Sequence, residues 1–313
     1  MAWFYDKISR AEPISFKWPD NARLAVCFHS PFEAWSERQD PASNLYRSMQ
    51  ADMPPLPPNA TTKNDYTTAS EHDYGGRVGV WRVLEMLKKY DLPSTFPTSG
   101  VTTERYPEAV KEIVRQGHEL CAHNWEQDER AILMTRDEED KMIVRCQDAF
   151  EKLTGQRPVG WISAGGGHTD HTPSLLVKNG FVWHGDVMND DTPYFYEADG
   201  KTLIAIPVKR GRTGINDVHI IRGGGNAREL LQRFMDEFDL LYEEGAKRPR
   251  MITAVMHMEL QSAQNNKPYE EMVKYAKRSK DVWFTNRIGI AKWLGENYLP
   301  KGAQSNLKVA VPA

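Results

Sequence analysis

The chain has 313 residues, 40% of them hydrophobic, and a formal net charge of −3. That length suffices for one large domain or two small ones, and the weak negative charge offers no basic face to a nucleic acid or another polyanion. No run approaches the roughly 18 apolar residues of a membrane span, and residues 1–7, MAWFYDK, lack the basic and apolar regions of a secretory signal.

In chain order, residues 24–29 form an apolar run entered from the turn Pro19-Asp20-Asn21, a first strand. Residues 77–90, RVGVWRVLEMLKKY, place Val80, Trp81, Leu84 and Leu87 on one helical face. A second strand is expected at 93–96. Pro107 opens a helix that stops at Gly117, with Val110, Ile113 and Val114 on its apolar face. Residues 118–123 are the next strand. Thr135 with Glu138 reads as a capping box, and Met142, Ile143, Cys146, Phe150 and Leu153 carry that helix to Gly155. A strand at 159–163 precedes a short helix opened by Thr172-Pro173 and closed at Gly180. Strands at 181–185 and 203–208 follow. Residues 227–244 carry Leu230, Leu231, Phe234, Phe238 and Leu241, a long amphipathic helix. A strongly apolar strand at 251–257 and helices at 268–280 and 287–298, with a strand at 282–285 between them, complete the series.

About eight strands alternating with helices predict parallel strands with helical crossovers, in an α/β barrel or an open doubly wound sheet. No G-x-G-x-x-G follows the first strand, so a dinucleotide fold loses weight. The rhythm breaks at 40–72, which contains PPLPP and the polar TTKNDYTTAS. An insertion of that length predicts a lid or a subunit contact, hence a homo-oligomer, dimer or tetramer. The rest, to the short tail 299–313, reads as a single domain. Three cysteines, Cys27, Cys121 and Cys146, sit in apolar segments without zinc spacing. They are expected to be reduced core thiols of a cytoplasmic protein.

Of nine histidines, His29, His123 and His257 each close a predicted strand. In parallel α/β folds that edge hosts the chemistry. Asp186 holds the same position after its own strand, ahead of Asn189-Asp190-Asp191. A lone histidine there is often a satisfied core residue, but three from distant segments predict a site. His118 begins its strand and is read as structural. His168 and His171 flank Asp170 on a glycine-rich loop and are either solvated or loop ligands. Gln127 stands four residues after His123, where a second histidine would complete a metal-ligand pair.

These residues carry a resemblance. The stretches WPDNARLAVCF (18–28), DYGGRVGVWRVL (73–84), GHELCAHNW (117–125), LTGQRPVGW (153–161), DVMNDDTPYF (186–195) and VWFTNRIGIAKW (282–293) resemble the polysaccharide deacetylase superfamily, and within it the allantoinase-like branch. The resemblance implies a distorted (β/α) barrel of about seven parallel strands and a hydrolase of non-peptide C–N bonds. Metal-dependent members place two aspartates at the end of the first strand and pair two histidines later. Here those places hold His29-Ser30, and His123 with Gln127. The allantoinase-like branch is described as metal-independent and shows an acidic, glycine-bearing stretch after the first strand. Glu33 and Glu37 match the acids, but Trp35-Ser36 replace the glycines, and Asp73 stands where that branch has glutamate.

Amide hydrolysis needs an activated water, a stabilised oxyanion and a proton for the leaving nitrogen. The expected acid/base pair is His123 and His257, with Glu33 or Asp73 orienting one of them. His29, Arg77, Trp125, Trp161, Asp190 and Asp191 are the expected substrate contacts. Asp73 and Arg77, four apart, also fit a simple helix-entry ion pair, and Asp190-Asp191 also fit a turn before Pro193. No cofactor is expected. The alternative is a divalent zinc or manganese on His29 and His123. The expected partner is a small-molecule substrate such as allantoin, a cyclic imide or a related ureide. The alternative activity is N-deacetylation of an acetylated sugar, and a non-catalytic binder on a decayed barrel is a third reading.

Overall fold

A computed structural model describes residues 16–36, 54, 56–62, 65–209 and 214–307. Glu37 and most of the 40–72 stretch lie outside those residues. From Tyr66 onward, however, the expected loop is already helix.

Among the described residues ten strands make one sheet: β1 (Leu24–His29), β2 (Ser94–Thr98), β3 (Glu119–Ala122), β4 (Gly160–Trp161), β5 (Trp183–His184), β6 (Tyr194–Ala198), β7 (Lys201–Ala205), β8 (Ile215–Asn216), β9 (Arg250–Val255) and β10 (Val282–Thr285). The order is β6-β7-β5-β4-β3-β2-β1-β9-β8, with β10 beside the first half of β1. Every pairing is parallel except the β6–β7 hairpin. β1 is buried along its whole length, which suits an apolar run at the centre of a parallel sheet. The sheet curls on itself. The Met251 N–H of β9 donates to Asp191 O beyond β5 at 3.1 Å, and the Arg287 guanidinium donates to Ile206 O beyond β7 at 2.8 Å. The architecture is a distorted α/β barrel, one of the two arrangements the alternation left open and the one the resemblance implies.

Helices clothe the outside. Their apolar rows, such as Met142, Ile143, Cys146 and Phe150 on Arg136–Thr154 and Leu230, Phe234, Phe238 and Leu241 on Ala227–Glu244, are buried in the main core. Each fully buried side chain of this size is worth roughly 1.5–3 kcal/mol. The capping box of Thr135 and Glu138 is present, with Gly155 left-handed at the far end. Trp81 departs from expectation: it is half-exposed, and Val83 takes the inner face beside Val80, Leu84 and Leu87. The helical segment also starts earlier than residue 77. It runs from Tyr66 through a π-helical turn, Gly75–Gly79, into Val80–Tyr90.

The barrel interior is polar in part. Glu119 accepts hydrogen bonds from Thr95 Oγ1 (2.6 Å), Trp183 Nε1 (2.9 Å) and the Ile288 N–H (2.9 Å). Burial outweighs these bonds and the nearby Arg287 charge, and pushes its carboxyl up to about 7. The three cysteines are buried and unbridged, and burial raises all three thiols. Among the described residues no helix is long and apolar enough to cross a membrane.

Candidate active site

The carboxyl ends of the parallel strands surround a cavity of about 520 Å³. β1 delivers His29, β3 delivers His123 and β9 delivers His257, and all three line it. Past β1 the chain stays on the sheet edge. The Phe32 N–H donates to Pro97 O at 2.7 Å and Phe32 bridges to Thr98, which leaves Glu33 pointing over the strand ends between the histidines. Ile162, Val208 and Val255 supply apolar wall. Gly165–Gly167 supply part of the rim, with Gly165 and Gly166 at φ of 60° and 72°, a conformation glycine adopts without steric cost.

Four ionisable groups are joined in a chain. Glu33 Oε1 lies 3.2 Å from His123 Nε2 and 3.7 Å from His257 Nε2. His257 Nδ1 lies 2.6 Å from Asp217 Oδ1, and the His257 N–H donates to Asp217 Oδ2 at 2.8 Å. Gln261 Nε2 donates to the same oxygen at 2.8 Å, fixing the carboxylate. On the other imidazole, His123 Nδ1 sits 2.6 Å from Ile162 O. A carbonyl only accepts, so that nitrogen carries a proton and Nε2 is the one turned to Glu33.

The charges follow from the geometry. Burial works against charge on His257, but Asp217 and Glu33, then Glu259, outweigh it and raise its pKa to about 9. Burial likewise works against charge on Glu33, and His257, His123 and Arg222 outweigh it, holding the carboxyl below the usual range at about 2. At neutral pH the site therefore holds a carboxylate beside an imidazolium, both on buried side chains.

Several expected members sit elsewhere. Asp73 is bound by Tyr106 OH and lies 4.0 Å from Arg77, which is largely exposed. The two are an i,i+4 pair inside the helical segment that begins at Tyr66, not at its entry, and Asp73 lines a neighbouring cavity that Glu33 also touches. Trp125 is buried with the Arg145 guanidinium 3.4 Å over its ring, and Trp161 is buried edge-on to Phe181 at 5.7 Å. Both belong to the main hydrophobic core and neither lines the cavity: Trp125 follows β3, and Trp161 ends β4 just before the cavity-lining Ile162. Asp190 caps the turn before Pro193 through Thr192 N–H (3.0 Å) and Oγ1 (2.9 Å). Asp191 pairs with Lys209 at 2.5 Å. Asp186 accepts from the Ser163 N–H (2.7 Å) and hydroxyl (2.9 Å), bracing a loop. His171 is a surface residue 3.6 Å from Asp170. His118 is buried against Phe96, both nitrogens without a hydrogen-bond partner, and burial lowers its pKa to about 4.

The donor set does not fit the metal of metal-dependent relatives. Ser30 stands in the ligand-aspartate place and hydrogen-bonds Ser94 at 2.8 Å. Gln127 presents a neutral amide, a far weaker zinc donor than imidazole. His29 faces a buried guanidinium, as Arg287 Nε lies 3.3 Å from its Nδ1. Among the described residues no group of three or more His, Cys, Asp or Glu is arranged to hold a metal ion.

Asp217 is the main residue that sequence reasoning missed. It opens a five-residue helix after a two-residue strand, both too short for periodicity to register. Glu259, buried, and Arg222, partly buried, lie 3.4 Å apart beyond His257 and were missed for the same reason. Burial raises Glu259 to about 7, His257 and Arg222 pulling it down and Glu33 up.

Residues 61–183 match the polysaccharide deacetylase family. A peptidoglycan deacetylase of Helicobacter pylori is 27% identical over 248 residues, spanning 68% of this chain and 82% of the relative. Among solved structures, a probable polysaccharide deacetylase from Pseudomonas aeruginosa PAO1 superposes with a TM-score of 0.79 at 28% identity, covering 90% of this chain and 94% of its own. Puue allantoinase superposes with a TM-score of 0.78 at 27% identity, covering 90% and 93%. With its curled parallel sheet and its histidines at the strand ends, the chain contains a polysaccharide deacetylase domain at residues 61–183 and shares the fold of these two solved structures.

Proposed function

We propose that the chain hydrolyses a non-peptide amide C–N bond of a small cyclic substrate, a ureide or an imide, without a metal ion. The observation that carries this reading is the buried chain Asp217–His257–Glu33–His123 on the wall of a cavity of about 520 Å³. A volume in that range suits one small ring rather than a glycan strand. The Glu33–His123 pair, acting as a unit, takes the proton of the attacking water. His257, kept an imidazolium by Asp217, gives its proton to the departing nitrogen. Asp217 accepts the ring's other N–H.

The similarity to Puue allantoinase over 90% of the chain supports the ureide class. The Helicobacter pylori relative supports a second reading, N-deacetylation of an acetylated sugar by the same groups. A panel of cyclic ureides, cyclic imides and N-acetylated amino sugars separates the two. Ligand-dependent thermal stabilisation is measured first, then release of ring-opened product or acetate. The proposal expects ring opening that His257→Ala slows on the order of 10²-fold. Acetate release with no ring opening transfers the chain to the second reading.

A further inference from the structure

The residue that closes β1 has its ring chemistry set from inside the barrel. His29 is 3% exposed and lines the cavity. Arg287 Nε donates to its Nδ1 at 3.3 Å. Arg287 is wholly buried, its remaining donors reaching Ile206 O at 2.8 Å, Pro207 O at 3.4 Å and Thr253 Oγ1 at 3.2 Å. Its backbone N–H donates to Thr95 Oγ1 at 2.9 Å, which pins the start of its helix to β2. The guanidinium therefore has little freedom to turn away. It is always charged and offers only donors. The nitrogen facing it must present a lone pair, so the neutral ring carries its single proton at Nε2. A second proton on Nδ1 would set donor against donor and cation against cation in a dry interior.

We propose that Arg287 locks His29 as the Nε2–H tautomer, so that His29 serves as a hydrogen-bond donor to the carbonyl oxygen under attack, with Arg287 as its positioning residue. What the donor meets rests on the amide-hydrolysis reading of the same cavity; the tautomer does not. This role is opposite to that of a base at the same strand end. With Nδ1 taken by the guanidinium and Nε2 protonated, neither nitrogen has a lone pair for a water's proton or a metal ion. His29 then completes the machinery: Glu33–His123 receives a proton, His257 delivers one to nitrogen, and His29 meets the charge growing on oxygen.

The proton is read directly by long-range ¹H–¹⁵N correlation on the ¹⁵N-histidine-labelled protein at neutral pH, with the His29 signals assigned by their loss in His29→Gln. A protonated Nε2 with an unprotonated Nδ1 is expected. A proton on Nδ1, alone or in a doubly protonated ring, overturns the proposal. In Arg287→Lys, which keeps the buried charge, both tautomers should appear; a persisting single Nε2–H form removes Arg287 from the role. Kinetics test the donor. His29→Ala should lower kcat on the order of 10²-fold with KM little changed. His29→Gln, whose amide N–H reaches toward the same point, should recover about tenfold of that loss. Equal losses in the two variants sink the donor role. If the expected tautomer is seen while no ureide, imide or N-acetylated sugar is hydrolysed, the proton assignment is upheld and the functional reading falls.

Discussion

His257 and Glu33 are two buried groups whose ordinary pKa values, 6.5 and 4.5, are driven further apart by their surroundings. The displacement has a consequence for pH. His257 is raised to about 9 against burial by Asp217 and Glu33, so the stability it contributes is complete below the ordinary imidazole range and lost as pH climbs through about 9. Glu33 is depressed to about 2, so its contribution is present above the ordinary carboxylate range and lost as pH falls through about 2. If His257 is the general acid, the alkaline limb of kcat/KM lies near pH 9. Asp217→Asn removes the largest influence raising His257, and the limb should move to lower pH while the acid limb stays. A limb that does not move in that variant rules out His257 as the titrating acid. His123→Ala and His257→Ala should each lower kcat on the order of 10²-fold with the fold intact, as read by circular dichroism; wild-type turnover in either would remove that residue from the mechanism.

Among the elements, the π-helical turn Gly75–Gly79 does the most to place the site's back wall. It lets the segment from Tyr66 to Tyr90 lie against the short turn Met258–Leu260, which follows His257 directly. A Cβ on Gly79 would stand 1.9 Å from Met258 O, and one on Gly75 would stand 2.9 Å from the Glu259 nitrogen. π-turns of this kind concentrate at functional sites because they bend a helix without ending it. Gly79→Ala should therefore act as overpacking, destabilising by about 1–3 kcal/mol. It should also reduce kcat, because the backbone it displaces carries His257 and Glu259. Unchanged melting temperature and kcat in this variant would show that the two elements yield without disturbing the site.

For the whole molecule, the curled sheet gathers strand ends from residues 29, 123 and 257 onto one cavity and leaves a cation, Arg287, in the barrel beneath it. A buried guanidinium under the cavity, with serine and glutamine in the places of two metal ligands, opposes a divalent ion electrostatically and by donor chemistry. Activity is expected to survive dialysis of the intact protein against a strong chelator, and elemental analysis to return well under one zinc or manganese per chain. Stoichiometric metal lost together with activity would return the chain to the metal-assisted mechanism, with His29 as the substituting ligand.

The sequence by itself determined the long elements and the edge on which chemistry collects. Helix 227–244, the capping box at Thr135 and the parallel alternation were legible because apolar periodicity and caps are local signals. His29, His123 and His257 were legible because each ends an apolar run. Short elements escaped: the β6–β7 hairpin turns on Asp199-Gly200, both at positive φ, a dipeptide signal present in the chain but not used. Only the tertiary structure decided which acid meets which histidine. Asp73 and Glu33 look alike in sequence, yet one pairs with Arg77 inside a helix and the other lies between two imidazoles. Asp217 reaches His257 across 40 residues, and Arg287 reaches His29 across 258. Those pairings depend on the curl of the sheet and the register of β1 against β9, which no local pattern encodes.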